Sequence, residues 1–260
     1  MNFNSKIILY YLFICIALCD HDVKKCSLFN HDLRTRPSTQ TSSLSPSGHF
    51  LIHYDIDGEH APLQNDNNFN GISDYIDEVG IIADSSRYVL VDLMGFYPEV
   101  PDSDGVYDIY IQNRPSNNYG VNYQDGAISG ASYIVIDEAY EPGDFFTSGI
   151  NTMRLTVAHE FFHAIQRAYR PTPSNSHTYF WEMSATWIED VIVPDGNDYL
   201  FWSDDFFQDM DQSISSTDGY SIALFGHYLS TTIDNNFDAN QSQIQTSIIK
   251  EIWEKYEEQD

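Results

Sequence analysis

Two histidines four positions apart, with a glutamate after the first, stand at His159-Glu160-Phe161-Phe162-His163. On an α-helix that spacing puts both imidazoles on one face, one turn apart, where they can meet a single metal ion. Glu160 projects beside the pair. A carboxylate there can take a proton from water activated by the ion and later deliver it to a leaving amine. Zinc suits this set best: it favours nitrogen ligands, has no redox chemistry and lowers the pKa of its water to about 7. The competing reading is a pair of core histidines. Two unpaired imidazoles on so apolar a helix are costly, and a third ligand is at hand. Glu182, in Trp181-Glu182-Met183-Ser184-Ala185, follows His163 after 18 intervening residues. Two His, one Glu and a water form an open catalytic set rather than a closed structural one.

These side chains need a scaffold. Residues 152–169 are apolar nearly all round in their first turns and predict a buried helix, with Asn151 as N-cap and Pro171 and Pro173 as its stop. Residues 178–192 predict a second helix that returns Glu182 to the His pair. Upstream, residues 49–56 alternate apolar and polar and read as a strand. Residues 72–94 have the spacing of a long amphipathic helix ended by Gly95. Residues 106–112 and 132–137 read as strands from their β-branched and aromatic content. Residues 219–231 and 244–258 read as helical. Strands first and helices later make the chain α+β: a small sheet on the motif helix, then a mostly helical C-terminal part.

Residues 66–77 place oxygen side chains at Asp66, Asn68, Asn70, Asp74 and Asp77, with Gly71 at the turn and the Ile72 carbonyl free to join. This is EF-hand spacing with Asp for the usual final Glu, and a helix follows, so calcium is expected there. The loop resembles the single calcium loops of dockerin-like and other exported bacterial proteins. The competing reading is a polar turn. Asp102, Asp104 and Asp108 fit a second cation or a plain turn equally.

Composition narrows the partners. The chain has 260 residues, 39 acids against 12 Lys+Arg, and a formal charge of -27. Counterion release cannot drive nucleic-acid binding on such a surface. Between Pro37 and Ile249 the cations are Arg87, Arg114, Arg154, Arg167 and Arg170, so the imbalance belongs to the folded part. Lys6 and the apolar run Ile7 to Leu18 read as a signal segment over 1–19, too short for a membrane span. Simple export is favoured over a loose lipobox that would lipidate Cys19. With Cys15 and Cys19 in the signal, Cys26 stands nearly alone, and no disulfide framework can form in the domain. Cys26 reads as a stray thiol before it reads as a latency device. Residues 20–47 read as leader and linker, and 48–260 as one domain.

The quartet His159, Glu160, His163 and Glu182 matches the gluzincins, zinc metallopeptidases with two His and a Glu as ligands. The 18-residue gap resembles their aminopeptidase branch more than the thermolysin branch. The run from HFLIHYD through the Asn-Gly loop, SYIVID, TVAHEFFHAIQ and WEMSATWIEDVI to IWE resembles a group of secreted bacterial metalloproteases of gluzincin type, over most of residues 48–253. The resemblance implies a zincin-like fold, His159, His163 and Glu182 as zinc ligands, and Glu160 as base. It also implies a downstream oxyanion stabiliser, with Tyr220 preferred and His227 as the other candidate. The strand Ser132–Asp137 would be the sheet edge that pairs with substrate. Two positions depart from the pattern. Thr186 stands where thermolysin-like members carry an Asp that orients a His ligand, and Glu189 or Asp190 could take its place unless both lie on a solvated face. Trp181 stands where an Asn often precedes the Glu ligand. No aminopeptidase-type glycine-rich motif is present, so the gap alone does not argue for exopeptidase action. The expected protein is an exported, monomeric zinc peptidase, an endopeptidase acting on proteins or peptides, with structural calcium. The alternatives are another zinc hydrolase (amidase or esterase), or a calcium-stabilised surface binding module with a vestigial metal site.

Overall fold

The structure, a computed structural model, describes residues 35–115, 118–126, 128–234 and 243–258. The expected signal segment, Cys19 and Cys26 lie outside the described residues. Five strands form one sheet: β1 (Thr41–Leu44), β2 (Phe50–Tyr54), β3 (Tyr107–Ile111), β4 (Gly120–Gln124) and β5 (Ser132–Ile136). Their order is β1-β2-β3-β5-β4. β2, β3 and β5 are parallel neighbours, and β1 and β4 run antiparallel on the two edges. Every residue of β3 and β5 is buried, as central parallel strands covered on both faces should be.

One consequence corrects the sequence expectation: β5 (Ser132–Ile136) is interior, and β4 is the edge beside it. β4 escapes a pattern search because Gly120 and Asn122 break its apolar run. β1 lies in the stretch read as linker. Its Ser and Thr residues show no strand alternation, and its register comes from pairing Thr41 to Tyr54 and Leu44 to Leu51.

Helix α1 (Asp74–Arg87) begins at Ser73, whose hydroxyl accepts from the Ile76 amide, and continues through a wider turn over 88–93. It packs on β2 and on α2 (Gly149–Tyr169). α2 starts after Ser148, three residues before the expected Asn151 cap. It ends where Arg170 turns extended, the conformation a following proline imposes. Then come α3 (Thr178–Ile192), α4 (Tyr199–Gln208), α5 (Ala223–Tyr228) and α6 (Ile248–Glu257). α4 had no place in the sequence reading. The main core lies between the sheet and α1 and α2, where Phe50 meets Phe161 edge-on at 5.1 Å. A second cluster of Tyr110, Val121, Tyr123, Tyr133 and Val135 occupies the other face of the sheet. There Arg36 lies over the Tyr133 ring and ties Asp102, Asp108 and Asp125 together. No helix among the described residues is long and apolar enough to cross a membrane.

Candidate metal centre

α2 and α3 pack against each other, and His159, His163 and Glu182 meet at their contact. Each offers a ligand atom within 4.8 Å of the others, and all three residues are buried. Glu182 Oε2 lies 3.1 Å from His159 Nε2 and 3.6 Å from His163 Nε2. The longer distance is outside hydrogen-bond range, so His163 Nε2 is buried without a hydrogen-bond partner. A divalent ion among the three atoms would satisfy it. Two imidazoles and a carboxylate are a donor set that fits zinc.

The rings are held from behind. His159 Nδ1 is 2.5 Å from Glu189 Oε1, and His163 Nδ1 is 2.6 Å from Gln166 Oε1. Such contacts fix the tautomer, with Nδ1 protonated and Nε2 turned to the ligand cluster. Gln166 also donates to the Trp181 carbonyl at 2.9 Å and the Ser184 hydroxyl at 3.1 Å, so one amide orients a ring and ties α2 to α3. Glu189 comes seven residues after Glu182, two turns along the same helix face. Thr186, one turn along, is buried with its hydroxyl unpartnered. Asp190 points elsewhere: its Oδ2 is 3.8 Å from His227 Nε2. His227 also meets Gln243 Oε1 at 3.0 Å and the Tyr199 ring at 4.8 Å. Of these two pairs of candidates, Glu189 and Tyr220 reach the centre, while Asp190 and His227 meet each other.

Burial raises Glu182, but the His163 and His159 imidazoles outweigh it and hold the carboxyl down at about 2. Burial also lowers His159; hydrogen bonds to Glu182 and Glu189 more than reverse this and carry it well above its ordinary range. Glu189 is pushed up to about 7 by burial, against the pull of His159. A cation at such a set competes with protons for the same ligand atoms.

Glu160 and Tyr220 line a cavity of about 30 Å³ beside His159, with Tyr119, Asp198 and Trp202 in the rest of its wall. Glu160 Oε2 is buried without a partner. β4 passes against this residue: a Cβ on Gly120 would stand 2.7 Å from Thr156 Cγ2 and 3.0 Å from Glu160 Cγ. Asn122 pins the strand, donating to the Glu160 carbonyl and accepting from Arg167 Nε at 2.6 Å. The Tyr220 ring lies parallel to His159 at 5.8 Å. Gly219 permits that approach. Its φ is 101°, and a Cβ there would sit 2.6 Å from both Glu182 Cβ and the Tyr179 carbonyl.

Gln166 and Asp198 were missing from the sequence reading. Gln166 had a signal, since it follows His163 by three residues on the same face. Asp198 had none.

At the expected calcium loop, the Asn68 and Asn70 amides both donate to Asp77 Oδ2, at 2.7 and 2.8 Å. Asp66 accepts from the Asn70 and Gly71 amides, and the Ile72 amide donates to Asn70 Oδ1. Asp74 turns away to the Asn67 backbone and side chain. In the other acidic cluster, Asp104 caps a turn through the Val106 amide, while Asp102 and Asp108 hold Arg36.

No protein-family model and no curated protein matches this chain.

Proposed function

We propose that this chain is an exported zinc-dependent peptidase of gluzincin type, with His159, His163 and Glu182 as ligands. The observation that carries the reading is the support behind the two imidazoles, Glu189 on one Nδ1 and Gln166 on the other, which leaves both Nε2 atoms toward Glu182. Histidines that merely fill a core need no such convergence. Zinc in this set supplies Lewis acidity and water acidified to a pKa of about 7. Glu160 takes a proton from the attacking water and gives it to the amide nitrogen as the C–N bond breaks. Its unpartnered Oε2 suits that exchange. Tyr220 donates its hydroxyl to the developing oxyanion. The edge strand β4 aligns an extended peptide, since Gly120 lets the strand lie against Glu160.

The test is zinc content and hydrolysis of casein and a peptide library, with ester substrates alongside and Glu160→Ala in parallel. One zinc per chain in both proteins, with hydrolysis lost in the variant, supports the reading. A wild-type chain that binds no zinc refutes it. Ester cleavage without peptide cleavage moves it to another class of zinc hydrolase.

The loop over 66–77 holds structural calcium in this reading. Coordination by Asn68 and Asn70 needs their oxygens turned toward Asp66 and Asp77, so the ion replaces the bonds those oxygens accept from the Asn70 and Ile72 backbone amides. EGTA then lowers the melting temperature and calcium restores it; no shift would end the assignment.

A further inference from the structure

The cavity at the metal centre contains a carboxylate that the proposed reaction does not use. Asp198 stands at the N-cap of α4, yet its side chain makes no capping hydrogen bond. An Asp at this position ordinarily caps the helix, and here that stabilisation is forgone. The side chain turns to the cavity wall instead. Its Oδ1 accepts from the Thr147 hydroxyl at 2.9 Å. Thr147 is in turn held by the Thr152 hydroxyl at 2.7 Å, so the orientation is fixed. Asp198 is 4% exposed. A structural cap would not be built this way.

What shares the cavity is informative. Glu160, Glu189 and Asp198 all line it, and among the described residues no Lys or Arg does. Glu160 Oε2 is buried there without a partner. Three carboxylates thus share the cavity with one imidazole, His159, an acidic lining that favours a cation. The remaining wall is aromatic: Tyr119, Trp202 and Tyr220, the last two with ring centroids 5.5 Å apart. A carboxylate among aromatic faces is the chemistry that holds an ammonium. The space, about 30 Å³, takes roughly two water-sized groups, which suits an ammonium head and not a whole Lys side chain.

We propose that Asp198, steadied by Thr147, binds a substrate ammonium beside the scissile bond, so that the enzyme prefers peptides with a primary amine there. This rests on the metallopeptidase reading. The amine comes from the substrate N-terminus or from the tip of a Lys side chain, and both present the same group.

Calorimetry on the zinc-loaded chain separates these with three matched ligands: leucine hydroxamate, Nα-acetyl-lysine hydroxamate and Nα-acetyl-leucine hydroxamate. The first carries an α-amine, the second a side-chain amine, the third neither. In wild type, at least one amine ligand should bind about 10-fold tighter than the neutral one, as a charge-assisted hydrogen bond gives. Whichever amine wins identifies the source. In Asp198→Asn the advantage should fall to within about twofold, and Thr147→Val should reduce it in part. Equal affinity of all three ligands for the wild type would overturn the proposal, whether or not the variants fold. Zinc content is measured first. A zinc-free wild type refutes the metal centre itself, whereas bound zinc without amine preference refutes only the role of Asp198.

Discussion

Replacing Glu189 by Gln tests the centre without touching a ligand. Glu189 Oε1 is 2.5 Å from His159 Nδ1, and the residue is 8% exposed. Glutamine keeps the volume and an acceptor oxygen, so the ring should hold its place. What disappears is the charge behind it. Loss of a partner behind a metal-bound His costs about 10–100-fold in affinity. Since the Gln oxygen still accepts a weaker, neutral bond, the lower end applies, about 10-fold or about 1.4 kcal/mol. Competition against a chelator of known affinity measures it directly. The next residue supplies the control. Asp190 faces His227 and not His159, so Asp190→Asn should leave zinc affinity within about twofold of wild type. If Glu189→Gln also stayed within about twofold, or if both variants weakened alike, the assignment of Glu189 as the support of His159 would be wrong.

Gly120→Ala drives a Cβ into Thr156 and Glu160. Over-packing of this kind costs about 1–3 kcal/mol, and displacement of Glu160 should cut hydrolysis about 100-fold with zinc content unchanged; full activity would dissociate β4 from the reaction. Arg36→Met strands Asp102, Asp108 and Asp125. Because Arg36 is partly exposed, the loss should be about 1–3 kcal/mol, below that of a wholly buried pair, and a melting curve reads it as a drop of several degrees. Glu138 is held up at about 7 by burial and by Asp137. A carboxyl whose folded pKa is raised contributes stability below its unfolded value, and that contribution is lost as pH rises toward 7. Glu138→Gln should therefore flatten the fall in melting temperature between about pH 4.5 and 7. An unchanged pH profile would show that Glu138 is not its source.

The motif helix and the clustering of His159, His163 and Glu182 were legible because a helix converts sequence spacing into geometry. His159 and His163 share a face whatever surrounds them, and Glu182 needed only one helical return. The support behind the ligands was half legible. Glu189 and Asp190 are adjacent, and only packing decides which turns inward. Sheet order was not legible at all. Nothing in the composition of residues 132–137 tells whether a strand is central or at an edge, because that depends on where Gly120–Gln124 pairs, and this short strand carries Gly and Asn. Asp198 lies in a stretch where no element was expected. Its role follows from Thr147, fifty-one residues earlier, a separation at which local patterns are silent.

Arg36 also sets a limit on how far the chain can be shortened. The guanidinium joins the loop before β3, β3 itself and the end of β4, while Thr41–Leu44 just behind it completes an edge of the sheet. A truncation compatible with the fold must therefore leave Arg36 in place. A chain begun at Gly48 would lack one edge strand of the sheet, and Asp102, Asp108 and Asp125 would lose their shared guanidinium.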